Sequence, residues 1–355
     1  MSAAAAGLTD WYTGSLEPSV PIVLSAPHGG MQRPAGMAER TSGCVCEDAG
    51  SLELARAIRA SFAQQLGAAP HLVASQLHRT KLDANRCREA AAAPGSAALA
   101  AYDCYHDWLG QAIDEVVDQH GFALLLDIHG QDHRPDASEL GYALSAVDLL
   151  GDDAGLDDAA TPPRSSLGAV LHRRPGASLA ELVRGPESLG SLLERQGWTA
   201  TPSASRPSPV SEAALRSTLA AALAQTEPEP EPEPEQEPAV DPVRQGLCRL
   251  LVRHGYAESE AQAAPAAEAL LPYADADAEE CGAQHGGVYF GGAFAVQHYG
   301  VGSREVVAIQ VEAEPRARET ADGQRGFAAA LASAVLAWLR IHCAWEADSD
   351  PPAPE

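Results

Sequence analysis

"FALLLDI" (residues 122–128) is nearly all apolar. A half-buried strand alternates, whereas an unbroken apolar run reads as a strand covered on both faces, as in parallel sheets wrapped by helices. Working outward, the spacing predicts a helix around 97–119, with Trp108, Leu109, Ile113, Val116 and Val117 on its buried side and Gly121 just past its end. "HLVAS" (71–75) reads as a strand before it. Leu54, Ile58, Phe62 and Leu66 recur every fourth residue, one apolar helix face within 48–66, and Gly67 punctuates its end. "IVLSA" (22–26) is a further short apolar strand. Strand, helix, strand, helix, strand predicts an α/β fold, a mainly parallel or mixed sheet covered by helices on both faces.

Beyond this region, residues 178–197 and 211–225 read as helices, with the loop "TATPSASRPSP" between them. "EPEPEPEPEQEP" (227–238) alternates glutamate and proline. Proline removes every second amide donor and the glutamates repel, so an extended, solvated spacer is expected. Residues 241–271 suggest a small helical pair. The sheet signal resumes with "GGVYFGGAFAV" and "EVVAIQVEAE", and a helix follows near 322–343. The expected organisation is one domain made of 1–225 and 284–345, interrupted by an insertion at 226–283 and ending in a disordered tail, 346–355.

The 355 residues are 45% hydrophobic, enough for a sizeable core and too many for a wholly disordered chain. A formal charge of −25 argues against nucleic acid or an anionic membrane as partner. Much of it is local, in Asp152, Asp153, Asp157 and Asp158 and in residues 226–242. The seven cysteines contain no CxxC pair, so reduced thiols are expected. The N-terminus lacks a basic start followed by an apolar core, and no run of about 18 apolar residues stands out. A cytoplasmic protein with no membrane span is the expectation.

The chemistry gathers at strand ends. His28 follows "IVLSAP" and precedes two glycines; His129 finishes the most apolar strand and precedes another. Carboxyl ends of strands in open α/β sheets carry ligand sites. "CEDAG" (46–50) supplies a carboxylate pair, and two histidines with one carboxylate form a common catalytic zinc set. As an alternative, Asp48 is a helix N-cap. "AIQVEAE" places Glu312 near the end of an apolar strand, where a carboxylate is expensive unless it has work to do; Glu314 faces the same side two residues on. "HRTKLDANR" (78–86) offers arginines, Arg79 and Arg86, suited to bidentate capture of a substrate carboxylate.

"SAPHGG", "EDAG", "HRTKLDANR", "LLLDIHGQ" with "ELGY", "RGPESLGSLLERQGW", and "GGAFAVQHYG" before "AIQVEAE" together resemble the N-formylglutamate amidohydrolase family, in the same order. The resemblance covers roughly 18–225 and 284–340. It implies a zinc-carboxypeptidase-like architecture, similar to that of aspartoacylases. It implies one zinc ion on His28, Asp48 and His129, with Glu312 as base and Asn85 and Arg86 holding a substrate carboxylate. On this reading a water activated by the ion attacks the amide of a small N-acyl amino acid, with His298 or Tyr299 near the oxyanion. Glu47 beside Asp48 remains an alternative ligand. "DIHGQDHRPDASELGY" departs from the serine-containing motif of better-known bacterial deformylases, which leaves the acyl group and amino acid open. A carboxypeptidase-like peptidase and a catalytically silent binding protein, docking an unknown partner through the insertion, are the rival readings.

Overall fold

A computed structural model describes residues 7–15, 19–134, 136–209 and 289–346. Its strands are β1 (Thr9–Tyr12), β2 (Ile22–Ala26), β3 (His71–Ser75), β4 (Ala123–Gly130), β5 (Ser138–Gly141), β6 (Ala200–Thr201) and β7 (Val306–Ala313). They make one seven-stranded sheet in the order β1-β3-β2-β4-β7-β5-β6. The central β3, β2, β4 and β7 run parallel, while β1 and β5 pair antiparallel with β3 and β7. The sheet is therefore mixed, as anticipated. Its short antiparallel strands β1 and β5 carry too few residues for their periodicity to show in the sequence.

Long helices cover both faces: α1 (Ser51–Leu66), α2 (Ala98–His120) and, near the C-terminus, a helix at Ala321–Cys343. Alternation along β4 explains how one strand serves both. Leu124, Leu126 and Ile128 pack in the core that holds Leu54, Ile58 and Phe62 of α1 and Phe327, Leu331 and Trp338 of the C-terminal helix. Ala123 and Leu125 face the other way, into the core with Tyr105, Leu109 and Ile113 of α2. Asp127 and His129 share the parity of Leu125, so the polar end of β4 lies on the α2 side. The C-terminal helix is long and apolar enough to cross a membrane by length and composition, although the sequence pattern predicted no such segment. Two thirds (67%) of its most apolar stretch is buried in this domain.

Two expectations are corrected. The single helix expected over 178–197 is two, Leu179–Arg184 and Leu189–Arg195, because Gly185 and Pro186 interrupt it. The second begins at Ser188, whose hydroxyl accepts the Ser191 amide. The strand expected within 286–296 is, over its described part, a coil leading into the helix Phe294–Gly300. Its amides find side-chain acceptors in place of a neighbouring strand: Ala293 N–H donates to Gln310 Oε1 (2.8 Å) and Ala295 N–H to Asn85 Oδ1 (2.7 Å). The helix expected at 211–225, the glutamate–proline spacer, the helical pair at 241–271, the 226–283 insertion and the tail from 347 lie outside the described residues. Cys44, Cys87, Cys104 and Cys343 are free thiols.

Candidate metal centre

Four neighbouring parallel strands deliver their carboxyl ends to one edge, and the chain reverses its direction of travel across the sheet at β2 and β4. Connections on either side of such a point diverge and leave a crevice. His28 enters it just after β2. The two glycines behind it allow the close approach: a Cβ on Gly29 would stand 2.4 Å from the Leu52 amide nitrogen, and one on Gly30 would stand 2.3 Å from the Gln76 carbonyl carbon. Asp48 arrives from the loop before α1. The N-cap of α1 is Gly50, in the left-handed region at φ 79°, so Asp48 is not the cap and its carboxylate is left to the crevice. His129 ends β4, and Glu312 is its partner across the β4–β7 ladder.

His28, Asp48 and His129 are all buried, and one donor atom from each lies within 4.8 Å of the other two. Asp48 Oδ2 stands 3.4 Å from His28 Nδ1 and 3.0 Å from His129 Nδ1. Tetrahedral donors about 2.1 Å from an ion are about 3.4 Å apart, so the spacing fits a metal ion. Both histidines turn Nδ1 inward because Nε2 is anchored behind. His28 Nε2–H donates to Asp83 Oδ1 (2.6 Å) and His129 Nε2–H to Asp127 Oδ2 (2.8 Å). Carboxylates behind metal-binding imidazoles fix their tautomer and orientation.

These carboxylates are themselves held. Asp127 accepts from Ser25 Oγ at 2.5 Å, its partner across the β2–β4 ladder. Asp83 receives Arg79 Nε at 2.9 Å and Arg86 Nε at 3.2 Å, with Arg40 at 3.5 Å. Arg318, buried just after β7, ties the site's loops together. It donates to the carbonyls of Ala49 (2.6 Å), Gln131 (3.2 Å) and Ala313 (3.3 Å), and also pairs with Asp132. Gly50 leaves room for this chain, since a Cβ there would stand 2.2 Å from the Arg318 carbonyl oxygen.

Burial alone would raise the Asp48 carboxyl, but His28 and His129 hold it well below the usual carboxylate range. Burial likewise opposes the charge on Asp83, and Arg79, His28 and Arg40 override it. Burial disfavours the charged form of His129, yet Asp127, Glu312 and Asp48 raise its pKa well above the ordinary value. Glu312 behaves differently. Burial pushes it up to about 7; His129 opposes this, while the charges of Asp48 and Glu139 add to it. Its Oε1 is 3.9 Å from His129 Nδ1 and accepts from Gln310 Nε2 at 2.8 Å. A carboxyl group poised near neutrality beside an imidazole can both take and give a proton.

Of the residues singled out in the sequence, His28, Asp48, His129 and Glu312 come together. Glu47 does not join them: its carboxylate accepts from His78 Nε2 at 2.9 Å. Glu314 turns to Arg316 at 3.0 Å. Asn85 has its carbonyl on Ala295 N–H, and its amide nitrogen lies 3.1 Å from His129 Nε2, whose proton goes to Asp127. Arg79 is buried between Asp83 and Asp48, while the Arg86 side chain is 19% exposed. His298 is exposed and stacked on Phe294, and the Tyr299 hydroxyl meets His106 Nδ1 at 2.9 Å. The supporting Asp127 and Gln310 had one faint signal: a polar residue two before His129 or Glu312 shares its face of an otherwise apolar strand; Asp83, outside any strand, lacked it. Arg318 had none, since its partners lie on three separate segments.

No protein-family model and no curated protein matches this chain. Among solved structures it is similar to an N-formylglutamate amidohydrolase from Ralstonia eutropha JMP134. There the identity is 14%, with 95% of this chain and 97% of that one covered at a TM-score of 0.41. A gene product of Agrobacterium tumefaciens is 18% identical over 45% of this chain and 73% of that one, with a TM-score of 0.31.

Proposed function

We propose that the chain is a zinc-dependent amide hydrolase acting on small N-acyl amino acids of the N-formylglutamate type. The observation that carries this reading is the buried His28–Asp48–His129 donor set with the Glu312 carboxyl, pKa about 7, beside it. Two imidazoles and one carboxylate are the ligands of many hydrolytic zinc sites and leave a coordination position open. When bound, zinc supplies a Lewis acid that polarises a carbonyl and makes water acidic near neutral pH.

The chain's own groups do the rest. Glu312, ionised, accepts a proton from the water that attacks the amide carbon. The C–N bond then breaks, and Glu312 returns the proton to the leaving nitrogen, giving a carboxylic acid and a free amine. Asp83 and Asp127 fix which imidazole nitrogen faces the centre and keep both rings aimed. Arg86, partly exposed at the rim, offers a guanidinium to the carboxylate of the amino acid.

Metal analysis of the purified protein together with an N-acyl amino acid screen tests the proposal. One equivalent of zinc is expected, with hydrolysis lost to a chelator and restored by zinc. Glu312→Gln should keep the zinc while turnover falls at least ~100-fold; Glu314→Gln, whose partner is Arg316, should keep both. A protein that neither holds zinc nor hydrolyses any N-acyl amino acid would end this reading.

A further inference from the structure

Glu312, the proton carrier of the reaction above, is the least tethered carboxylate of the centre. Asp48 faces two imidazoles and also takes the Gly130 amide at 3.3 Å, and Asp83 is ringed by arginines. Among the described residues the Glu312 side chain takes one hydrogen bond, from Gln310 Nε2 at 2.8 Å. Its aim therefore depends on how firmly the Gln310 amide is held. Gln310 stands two residues before Glu312 on β7, on the same face of the sheet, and is buried.

A primary amide can turn over and offer its oxygen in place of its nitrogen. Here a backbone donor forbids that, because Ala293 N–H occupies Gln310 Oε1 at 2.8 Å and leaves Nε2 facing Glu312. The same segment is anchored a second time, at Ala295 N–H on Asn85 Oδ1 (2.7 Å). Three glycines let it press so close to the sheet. Gly141 is paired with Gln310 across the β5–β7 ladder, and a Cβ there would stand 2.6 Å from the Gly292 nitrogen. A Cβ on Gly291 would collide with the Leu144 carbonyl oxygen. Gly292 has φ 118°, which side chains rarely adopt, and a Cβ on it would stand 2.9 Å from the Ala143 nitrogen.

We infer that Gln310 is a positioning residue for the base: its amide, locked by Ala293 N–H, holds the Glu312 carboxylate in the orientation that proton transfer needs, and Gly141 admits the segment that locks it. The inference rests on the hydrolase reading and goes beyond it, since the chain that returns at Tyr289 then governs turnover through Glu312 and not through the metal ligands. The competing account is that Gln310 only anchors Ala293. The two differ in whether the effect passes through Glu312.

The test is a double-mutant cycle on the full-length zinc-loaded protein with N-formyl-L-glutamate: wild type, Gln310→Met, Glu312→Gln and both together. Misplacing a reacting group by about 1 Å can cost about 100-fold, so Gln310→Met should lower kcat about 10- to 100-fold. KM should stay within about twofold and zinc content should not change. In the Glu312→Gln background the same replacement should change kcat by less than about twofold, because there is no longer a base to aim. Hydrogen exchange of the metal-free protein reads the lock without turnover: the Ala293 amide should exchange at least about tenfold faster in Gln310→Met. Should that variant fail to fold, Gly141→Ala decides on the same cycle, since it displaces the segment and leaves both side chains in place. A folded variant with the wild-type kcat overturns the inference. So does an equal loss of kcat in both backgrounds, which would leave Gln310 an anchor for Ala293. A wild-type protein that hydrolyses neither N-formyl-L-glutamate nor any other N-acyl amino acid overturns the hydrolase reading and this inference with it.

Discussion

His129 sets the acid–base behaviour of the site. Its pKa is raised well above 6.5 by Asp127, Glu312 and Asp48 against the pull of burial. A raised folded-state value means that the protonated imidazole stabilises the fold: fully below the unfolded value, and no longer once pH has risen through the folded one. Glu312, raised from 4.5 to about 7, acts in the same direction, because its neutral form is the one the buried site tolerates. Asp48 and Asp83, both depressed, contribute only above the ordinary carboxylate range. Metal-stripped protein should therefore be most stable between about pH 4.5 and 6 and lose stability towards pH 9. Zinc displaces the His129 proton, so below that raised pKa its affinity should fall about tenfold for each pH unit. Urea midpoints of chelator-treated protein from pH 4 to 9, with competitive zinc titrations, check both. Flat profiles would mean that His129 is neutral in the fold without metal.

Elements matter here through what joins their ends. β4, β7 and the loop before α1 end side by side, and Arg318 links all three through the carbonyls of Gln131, Ala313 and Ala49. Arg318→Met keeps much of the buried stem and removes the donors. Ala313 keeps the Gln131 amide as a donor, so the Gln131 and Ala49 carbonyls are the ones left without a partner; at about 1–3 kcal/mol for a buried one, a loss of about 2 kcal/mol is expected in urea unfolding. Because Ala49 adjoins Asp48 and Gln131 lies two residues beyond His129, zinc affinity should fall as well. An unchanged zinc affinity alongside a large stability loss would show that the loops hold their places without it. Arg318→Lys, able to reach only some of the carbonyls, should fall between.

Across the whole molecule, the described chain leaves at Pro209 and resumes at Tyr289, and both ends belong to one network. Arg134 donates to the Pro209 carbonyl and to Glu139, and Glu139 accepts the Phe290 amide. Ends held so close need no particular length of chain between them, and loop-closure entropy changes slowly with length. The glutamate–proline run within 226–242 has almost no apolar side chains to bury. Deleting residues 226–242 should therefore leave the melting temperature within a degree or two and turnover within about twofold. A fall in melting temperature of ten degrees on calorimetry would mean that this segment packs on the domain.

Much of the fold was legible because its signals are local. Apolar runs marked β2, β3, β4 and β7, fourfold spacing marked α1, and glycines marked helix ends at Gly67 and Gly121. His28, His129 and Glu312 were legible too, since a polar residue ending an apolar strand is visible in one dimension. The short strands β1, β5 and β6 were not, and the glycine-rich stretch before Phe294 looked like a strand until its amides found side-chain acceptors. The resemblance favoured Asp48 over Glu47, and the tertiary structure supplied the reason, turning Asp48 to His28 and His129 and Glu47 to His78. It alone turned Asn85 and Arg79 toward other protein groups and revealed Asp83, Asp127 and Arg318 as the residues that hold the site. Those roles consist of contacts between segments far apart in the chain. Strand order and register create these contacts, whereas local periodicity carries information over only a few residues.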